Sequence, residues 1–399
     1  LYIETPHSYA RILSEQISMT PVNKNIRLLI DGQEALEAIE TCIRQAKWSI
    51  RIRMFMWKDD RKGRYLLALL QQKIKTTPSI KIIIEKDAFG SRVYNMMRWF
   101  SLGRKPGDIF SSKEGEIFLK QHTNNVHFIS VGSSSLLFFK LLKENDHSKV
   151  YIFDEGTPES ITLIGGMNIG DEYLTAVNHQ HPEQGGWHDY MVRIKGEGAN
   201  NLLPPLTIPQ KKYWFRKKIM NGIEILFNWK GKRKMKRELI KELRQAKKSI
   251  IIEHGYITDD SIIRTLRRRA KKNVHVAVIL PDRSDGVYHA NMHTIHKLLK
   301  PISQKRSVPF PLHVFLYKGM IHAKVIVIDE TTTIMGSANL TPNSFHFLNE
   351  TNAIFRSKTG ITKEVLRQIK KDLLYCTPIT VQTIPPYNRF RAVIEKMFI

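Results

Sequence analysis

Two short apolar runs, Val150-Tyr151-Ile152-Phe153 and Val325-Ile326-Val327-Ile328, have the length and β-branched content of buried strands. Each is entered through the same polar spacing: His147, Lys149 and Asp154 around the first, His322, Lys324 and Asp329 around the second. In an extended chain, residues two apart share a face, so each histidine lies beside its own lysine. A glycine turn ending in asparagine follows both runs, Gly165-Gly166-Met167-Asn168 and Gly336-Ser337-Ala338-Asn339. Hydrophobic spacing upstream repeats as well. Ile43-Arg44-Gln45-Ala46-Lys47-Trp48-Ser49-Ile50 is echoed by Leu243-Arg244-Gln245-Ala246-Lys247-Lys248-Ser249-Ile250, and Asp59-Asp60 by Asp259-Asp260. In each copy apolar residues at helical spacing (Leu36, Ile39, Cys42 or Ile43, Ala46; Leu239, Ile240, Leu243, Ala246) lead into a strand. A second helix and a second strand, Ile80 to Ile84 and Val274 to Leu280, come next. Helices alternating with strands predict an α/β chain of two similar layered halves, facing each other about a pseudo-twofold axis with one shared site.

The doubled motif suits chemistry at a phosphodiester. A neutral imidazole can attack phosphorus and a second, protonated one can release the leaving oxygen, so two histidines supply nucleophile and general acid without a metal. The candidate catalytic set is His147, Lys149, Asp154, His322, Lys324 and Asp329. Lys149, Lys324, Asn168 and Asn339 are candidates to hold the phosphate oxygens as charge develops. Asp154 and Asp329 fall at the far ends of their strands, which suits them to anchoring neighbouring backbone or basic groups. After each asparagine a carboxylate opens another alternating strand, Asp189 in the first half and Glu350 in the second. Each is expected to accept a hydrogen bond from the histidine of its own half and so fix the tautomer.

These residues resemble the phospholipase D superfamily, whose signature is the duplicated motif. Leu28-Leu29-Ile30-Asp31-Gly32, the run Gly165 to Tyr173, Trp187-His188-Asp189 and Gly336 to Leu340 are similar to its bacterial cardiolipin synthases. The resemblance implies the two-halved α/β/α sandwich and a covalent phosphohistidine, on His147 by analogy with several relatives, with His322 as acid and then base. It implies condensation of two phosphatidylglycerol molecules to cardiolipin and glycerol. Hydrolysis of phospholipid by the same site, and a phosphodiesterase acting on nucleic acid, stay open beside it. A bacterial, membrane-associated enzyme is implied, and because the chain starts at Leu1 an N-terminal membrane helix of the kind these synthases carry is open to having been removed. Arg53 departs from the family, which often has Glu there, whereas Glu253 keeps it.

Composition adds the partners. Lys and Arg number 63 against 37 Asp and Glu, a net +26 that predicts polyanions: an anionic phospholipid surface, or nucleic acid. Between Leu203 and Arg237 there are 11 Lys or Arg and one acidic residue, Glu224, interleaved with Tyr213, Trp214, Phe215, Phe227 and Trp229. This stretch is either a basic interfacial segment or a solvated linker with its aromatics in the core. Met96 to Phe100 has the same two readings. The organisation expected is an N-terminal segment 1–24, a first half 25–200, a basic aromatic linker 201–230 and a second half 231–399. Ser101 to Asp146 reads as an irregular insertion over one side of the site.

No apolar run reaches the roughly 18 residues of a membrane span. Cys42 and Cys376 offer neither a disulfide framework nor metal spacing. His289, His293 and His296 recur at helical spacing but lack an acidic or cysteine partner nearby, so surface histidines are expected rather than zinc ligands. Tyr256 reads equally as pocket aromatic or core. No cofactor and no metal are expected, since no phosphate-binding loop or dinucleotide turn occurs.

Overall fold

The computed structural model describes residues 23–87, 107–131, 145–182, 184–196, 216–220, 222–229, 234–300 and 311–398. The first half opens with β1 (Ile26–Ile30), α1 (Asp31–Gln45), β2 (Ser49–Met54), α2 (Arg61–Thr76) and β3 (Lys81–Asp87). A 3-10 turn (Ile109–Ser111), α3 (Lys113–Gln121) and β4 (Val126–Val131) follow, then β5 (Val150–Phe153), β6 (Ile161–Gly165) and β7 (Tyr190–Lys195). The second half has β8 (Arg216–Met220), β9 (Ile223–Asn228), α4 (Met235–Gln245), β10 (Ser249–His254), α5 (Asp260–Lys271), β11 (His275–Pro281) and α6 (Tyr288–Leu299). It ends with β12 (Leu312–Tyr317), β13 (Lys324–Ile328), β14 (Thr332–Gly336), α7 (Pro342–His346), β15 (Glu350–Arg356), α8 (Ile361–Asp372), β16 (Cys376–Ile379) and α9 (Arg389–Phe398).

The strand orders make the duplication explicit. One sheet runs β4-β3-β2-β5-β6-β7-β1; the other contains β12-β11-β10-β13-β14-β15-β9 in the same sequence and adds β16 and β8 at its edges. Each motif strand is therefore central and antiparallel to the strand after the first helix, β5 to β2 and β13 to β10. Alternation along the strands sorts side chains into layers. Val150, Ile152, Ile164, Val192 and Ile194 of the first sheet meet Ile225, Ile251, Val325, Val327 and Phe355 of the second in one core between the sheets. Leu29, Ile39, Ile43, Ile50, Ile52, Leu70 and Ile84 form a core on the first sheet's other face, beneath α1 and α2. Leu239, Leu243, Ile250, Ile252, Leu266 and Ile328 do the same in the second half. The Asp-Asp pairs cap the following helices: Asp60 accepts from Gly63 N–H, and Asp259 from Ser261 and Ile262 N–H.

Two expectations need correction. Residues 216–220 and 223–228, expected in a linker, form β8 and β9, and β9 pairs with β15. Ile223, Ile225 and Phe227 alternate into the core, and Trp229 is fully buried beneath the Arg53 guanidinium, 5.4 Å from the ring centroid. Their alternation outweighs the surrounding basic charge, so Phe227 and Trp229 are core residues, not interfacial anchors. Tyr213, Trp214, Phe215 and Met96 to Phe100 lie outside the described residues. The supposed irregular insertion is regular over 107–131, where α3 carries the chain back to β4, parallel to β3 as β12 is to β11.

Candidate active site

Both motif histidines stand just ahead of a central strand, and each is seized by the opposite half. His147 N–H donates to the Asn349 carbonyl at 2.8 Å, and His322 N–H to the His188 carbonyl at 2.8 Å. The residue after each acceptor carries the carboxylate. Glu350 Oε1 and Oε2 both lie 3.1 Å from His147 Nδ1, and Asp189 Oδ2 lies 2.7 Å from His322 Nδ1. A carboxylate only accepts, so Nδ1 of each ring carries the proton and Nε2 holds the lone pair. This corrects the expected pairing: Asp189 serves the second half's histidine and Glu350 the first half's. Facing halves place each carboxylate strand opposite the other half's motif, a relation that sequence order hides.

Glu350 is completely buried yet held ionised. Ser337 Oγ donates to it at 2.5 Å and Ser344 Oγ at 2.6 Å. Burial raises its carboxyl pKa, but His147, Lys149 and these hydrogen bonds outweigh that and bring it below the ordinary carboxylate value. Ser337 belongs to the glycine-turn motif, whereas Ser344, on α7, carries no sequence signal. Around Asp189 the arrangement is leaner. Tyr190 N–H donates to Oδ1 at 2.8 Å, and burial pushes the acid up to about 7 against the pull of Lys324. Gly166, the counterpart of Ser337, is required here: a Cβ on it would sit 2.7 Å from both Asp189 carboxylate oxygens.

Burial pushes His147 down to about 4, with Glu350 opposing and Lys149 assisting, so the ring is neutral near pH 7. His322 is lowered well below its usual range by burial and then by Lys324, Lys149 and His147. The two motifs thus feel one another's charge across the seam. Phe55 packs edge-on to His147 with centroids 4.8 Å apart, while Tyr173 and Trp187 pack on His322 at 5.1 and 5.7 Å. These three aromatics wall the site, and none was singled out for that role from the sequence. Tyr256, also buried, turns toward His322 at 6.4 Å.

Both motif lysines are buried. Lys149 Nζ donates to the His147 carbonyl at 2.5 Å and lies 5.2 Å from the Phe55 ring centroid. Lys324 Nζ reaches the His322 carbonyl and both ring nitrogens, Nδ1 at 2.9 Å and Nε2 at 3.1 Å. Burial lowers both, Lys324 to about 8. Asn168 Oδ1 accepts from Met56 N–H at 3.2 Å, which turns its amide nitrogen the other way, and Asn339 Oδ1 is buried without a hydrogen bond.

The motif aspartates are not brought to the site. Asp154 accepts from Lys47, Trp48 and Ser49 N–H at 2.7 to 3.1 Å, and Asp329 from Lys247, Lys248 and Ser249 N–H at 2.7 to 3.0 Å. Both have left-handed backbones, φ 52 and 49, a conformation that aspartate tolerates better than most residues. They fasten the loop before β2 and before β10 to the end of the motif strand, so they are structural members of the signature. His289 and His293 hold the C-terminal segment: His289 Nδ1 accepts from Asn388 N–H at 3.2 Å, and His293 Nδ1 lies 3.3 Å from the Tyr387 hydroxyl.

Comparison with known proteins bears on the family and the fold. Residues 239–373 match a family described as cardiolipin synthase, PLD-like domain. The major cardiolipin synthase ClsA of Bacillus subtilis is 26% identical over 94% of this chain and 74% of its own. A cardiolipin synthase of Clostridium perfringens is 25% identical over 90% and 72%. In fold, a phosphatidylserine synthase of Haemophilus influenzae superposes with a TM-score of 0.66 at 14% identity, covering 98% of this chain and 96% of that one. The chain thus carries a PLD-like domain in its second half and shares its two-sheet fold with that synthase. In sequence it is similar to bacterial cardiolipin synthases.

Proposed function

We propose that this chain is a phosphatidyltransferase that condenses two phosphatidylglycerol molecules into cardiolipin and glycerol. The observation that carries the reading is the crossed pairing of His147 with Glu350 and His322 with Asp189, two Nδ1-anchored imidazoles at one seam, in a chain similar to cardiolipin synthases. His147 Nε2 attacks the phosphorus of the first lipid. The bond from phosphorus to the glycerol oxygen breaks, and His322 donates its Nε2 proton to that oxygen as glycerol leaves. His322 then takes the hydroxyl proton of a second phosphatidylglycerol, whose oxygen displaces His147 from phosphorus. The free His322 is neutral, and the phosphate anion entering between Lys149 and Lys324 offsets their charge and raises its proton affinity.

Two features support His147 as nucleophile. Glu350 is ionised and fixed by two serines, which suits a ring that becomes cationic on phosphorylation. Lys324 engages the ring nitrogens of His322, whereas among the described residues Lys149 bonds no ring nitrogen of His147. Lys149, Lys324, Asn168 and Asn339 are assigned to the phosphate oxygens.

No helix of the described residues is long and apolar enough to cross a membrane. For surface docking the reading uses α9. Ala392 and Glu395 pin it to α6, and Phe390, Val393 and Met397 face outward beside Arg389, Arg391 and Lys396. The test is incubation with phosphatidylglycerol vesicles and, separately, with single- and double-stranded DNA, alongside His147→Ala and His322→Ala. Cardiolipin and glycerol, lost in both variants, are expected. Phosphatidic acid as the product makes water the acceptor, and DNA cleavage with untouched lipid overturns the reading.

A further inference from the structure

Beside the active site, the seam between the halves holds a buried polar cluster that the catalytic scheme does not use. His188 comes from the first half, Glu253 from β10 and Asp372 from the end of α8; each is at most 1% exposed. His188 Nε2 lies 3.3 Å from Asp372 Oδ2 and 3.6 Å from Glu253 Oε1, and neither Nε2 nor Oε1 makes a hydrogen bond. On the other side of the ring, Nδ1 is 2.6 Å from Asp31 Oδ1. Tyr190 has one hydroxyl proton to offer, yet its oxygen lies 2.6 Å from Glu253 Oε2 and 2.9 Å from Asp372 Oδ2. Three carboxylates thus surround one imidazole, and among the described residues no lysine or arginine forms an ion pair with any of them. Buried polar atoms left without a partner, as His188 Nε2 and Glu253 Oε1 are, are costly.

The matching place in the first half is already balanced. Arg53, at the β2 position equivalent to Glu253, pairs with Glu85 at 2.9 Å. One half pairs its carboxylate with an arginine of the chain, and the other sets no lysine or arginine against Glu253 or Asp372 among the described residues.

We propose that His188, Glu253 and Asp372 bind one divalent cation of the zinc type and so clamp the two halves together. All three donor atoms lie within 4.8 Å of one another. Tetrahedral zinc with bonds of about 2.1 Å spaces its ligand atoms about 3.4 Å apart, close to the two separations at His188. Asp31 behind the imidazole supplies the carboxylate that metal-bound histidines characteristically keep on their second nitrogen. The cation does not touch phosphorus. It fixes the segment whose His188 carbonyl accepts from His322 and Ala323 N–H at 2.8 and 3.1 Å, and whose next residue, Asp189, orients His322.

The test is metal content of the full chain, prepared without a metal-binding tag, saturated with Zn²⁺, dialysed and analysed by mass spectrometry of the element. About one zinc per chain is expected, together with a rise in thermal midpoint on adding zinc. Glu253→Gln and Asp372→Asn are expected to lower the retained zinc at least about tenfold and to abolish that rise. Glu253→Arg installs the first half's solution and should fold while retaining no zinc. Should any variant fail to fold, the stoichiometry and zinc-dependent midpoint of the unaltered chain decide alone. Less than about a tenth of an equivalent in that chain with an unmoved midpoint, or undiminished zinc in the folded variants, overturns the proposal.

Discussion

Replacing Glu350 by Gln exchanges one oxygen for an NH₂ group and removes the negative charge facing His147. In the resting site His147 is neutral, so the loss there is mainly a hydrogen bond to a charged acceptor, about 1.5–3 kcal/mol of stability. The catalytic loss is larger, because the ring becomes cationic as phosphorus bonds to Nε2. At 3.1 Å and an effective dielectric constant near 20, the attraction between that charge and Glu350 is roughly 5 kcal/mol. With half to all of the charge developed at the transition state, the barrier rises by about 3–5 kcal/mol, a fall in kcat of roughly 10²–10⁴. KM should hardly move, since no lysine or asparagine assigned to the phosphate is altered. The assay is initial cardiolipin formation from phosphatidylglycerol vesicles, with circular dichroism to show that the variant folds. A folded Glu350→Gln enzyme within about threefold of the wild-type kcat, a difference of roughly 0.7 kcal/mol, refutes the reasoning.

Four further outcomes follow from the same geometry. The burst of covalent intermediate should hold as pH drops from 7 to about 5.5, because burial keeps His147 neutral down to about 4; rapid-quench measurements that show it halving near pH 6.5 contradict the placement of that ring. On the alkaline side, Lys324 loses its charge as pH rises through about 8, so KM for phosphatidylglycerol should climb there and not near the ordinary lysine value. Asp154→Ala removes an acceptor of three backbone N–H groups at a left-handed position and should cost about 3 kcal/mol in urea denaturation, with kcat of the folded enzyme unchanged. Gly166→Ala drives a methyl into the Asp189 carboxylate and should lower kcat by roughly 10², which activity measurement on the folded variant checks directly.

The layered halves were legible because buried strands announce themselves locally. Val150 to Phe153 is a strand with the bounds that alternation suggested, Val325 to Ile328 lies in a strand that starts one residue earlier at Lys324, and the repeat offset anticipated equivalent sheets. The histidines and lysines were legible because the motif occurs twice. What sequence order cannot carry is which half each partner serves: Asp189 and Glu350 were recognisable as carboxylates at strand entries, but their crossing exists only once the sheets face each other. Ser344 and Phe55 were invisible for the same reason. For Phe227 and Trp229 the sequence left an interfacial and a core reading open, and the fact that decides for the core, pairing of β9 with β15, joins residues more than a hundred positions apart. Arg53 stood out as a break in symmetry, and its buried pair with Glu85 gives that break a physical basis.

The most direct test of the central account is to mix the enzyme with phosphatidylglycerol labelled in its phosphate, quench within one turnover and map the label by peptide mass spectrometry. The account predicts phosphatidyl label on His147, glycerol released in equal amount before cardiolipin forms, and no label in His147→Ala. Label on His322 instead, or cardiolipin formed at full rate with no labelled histidine at all, would contradict it.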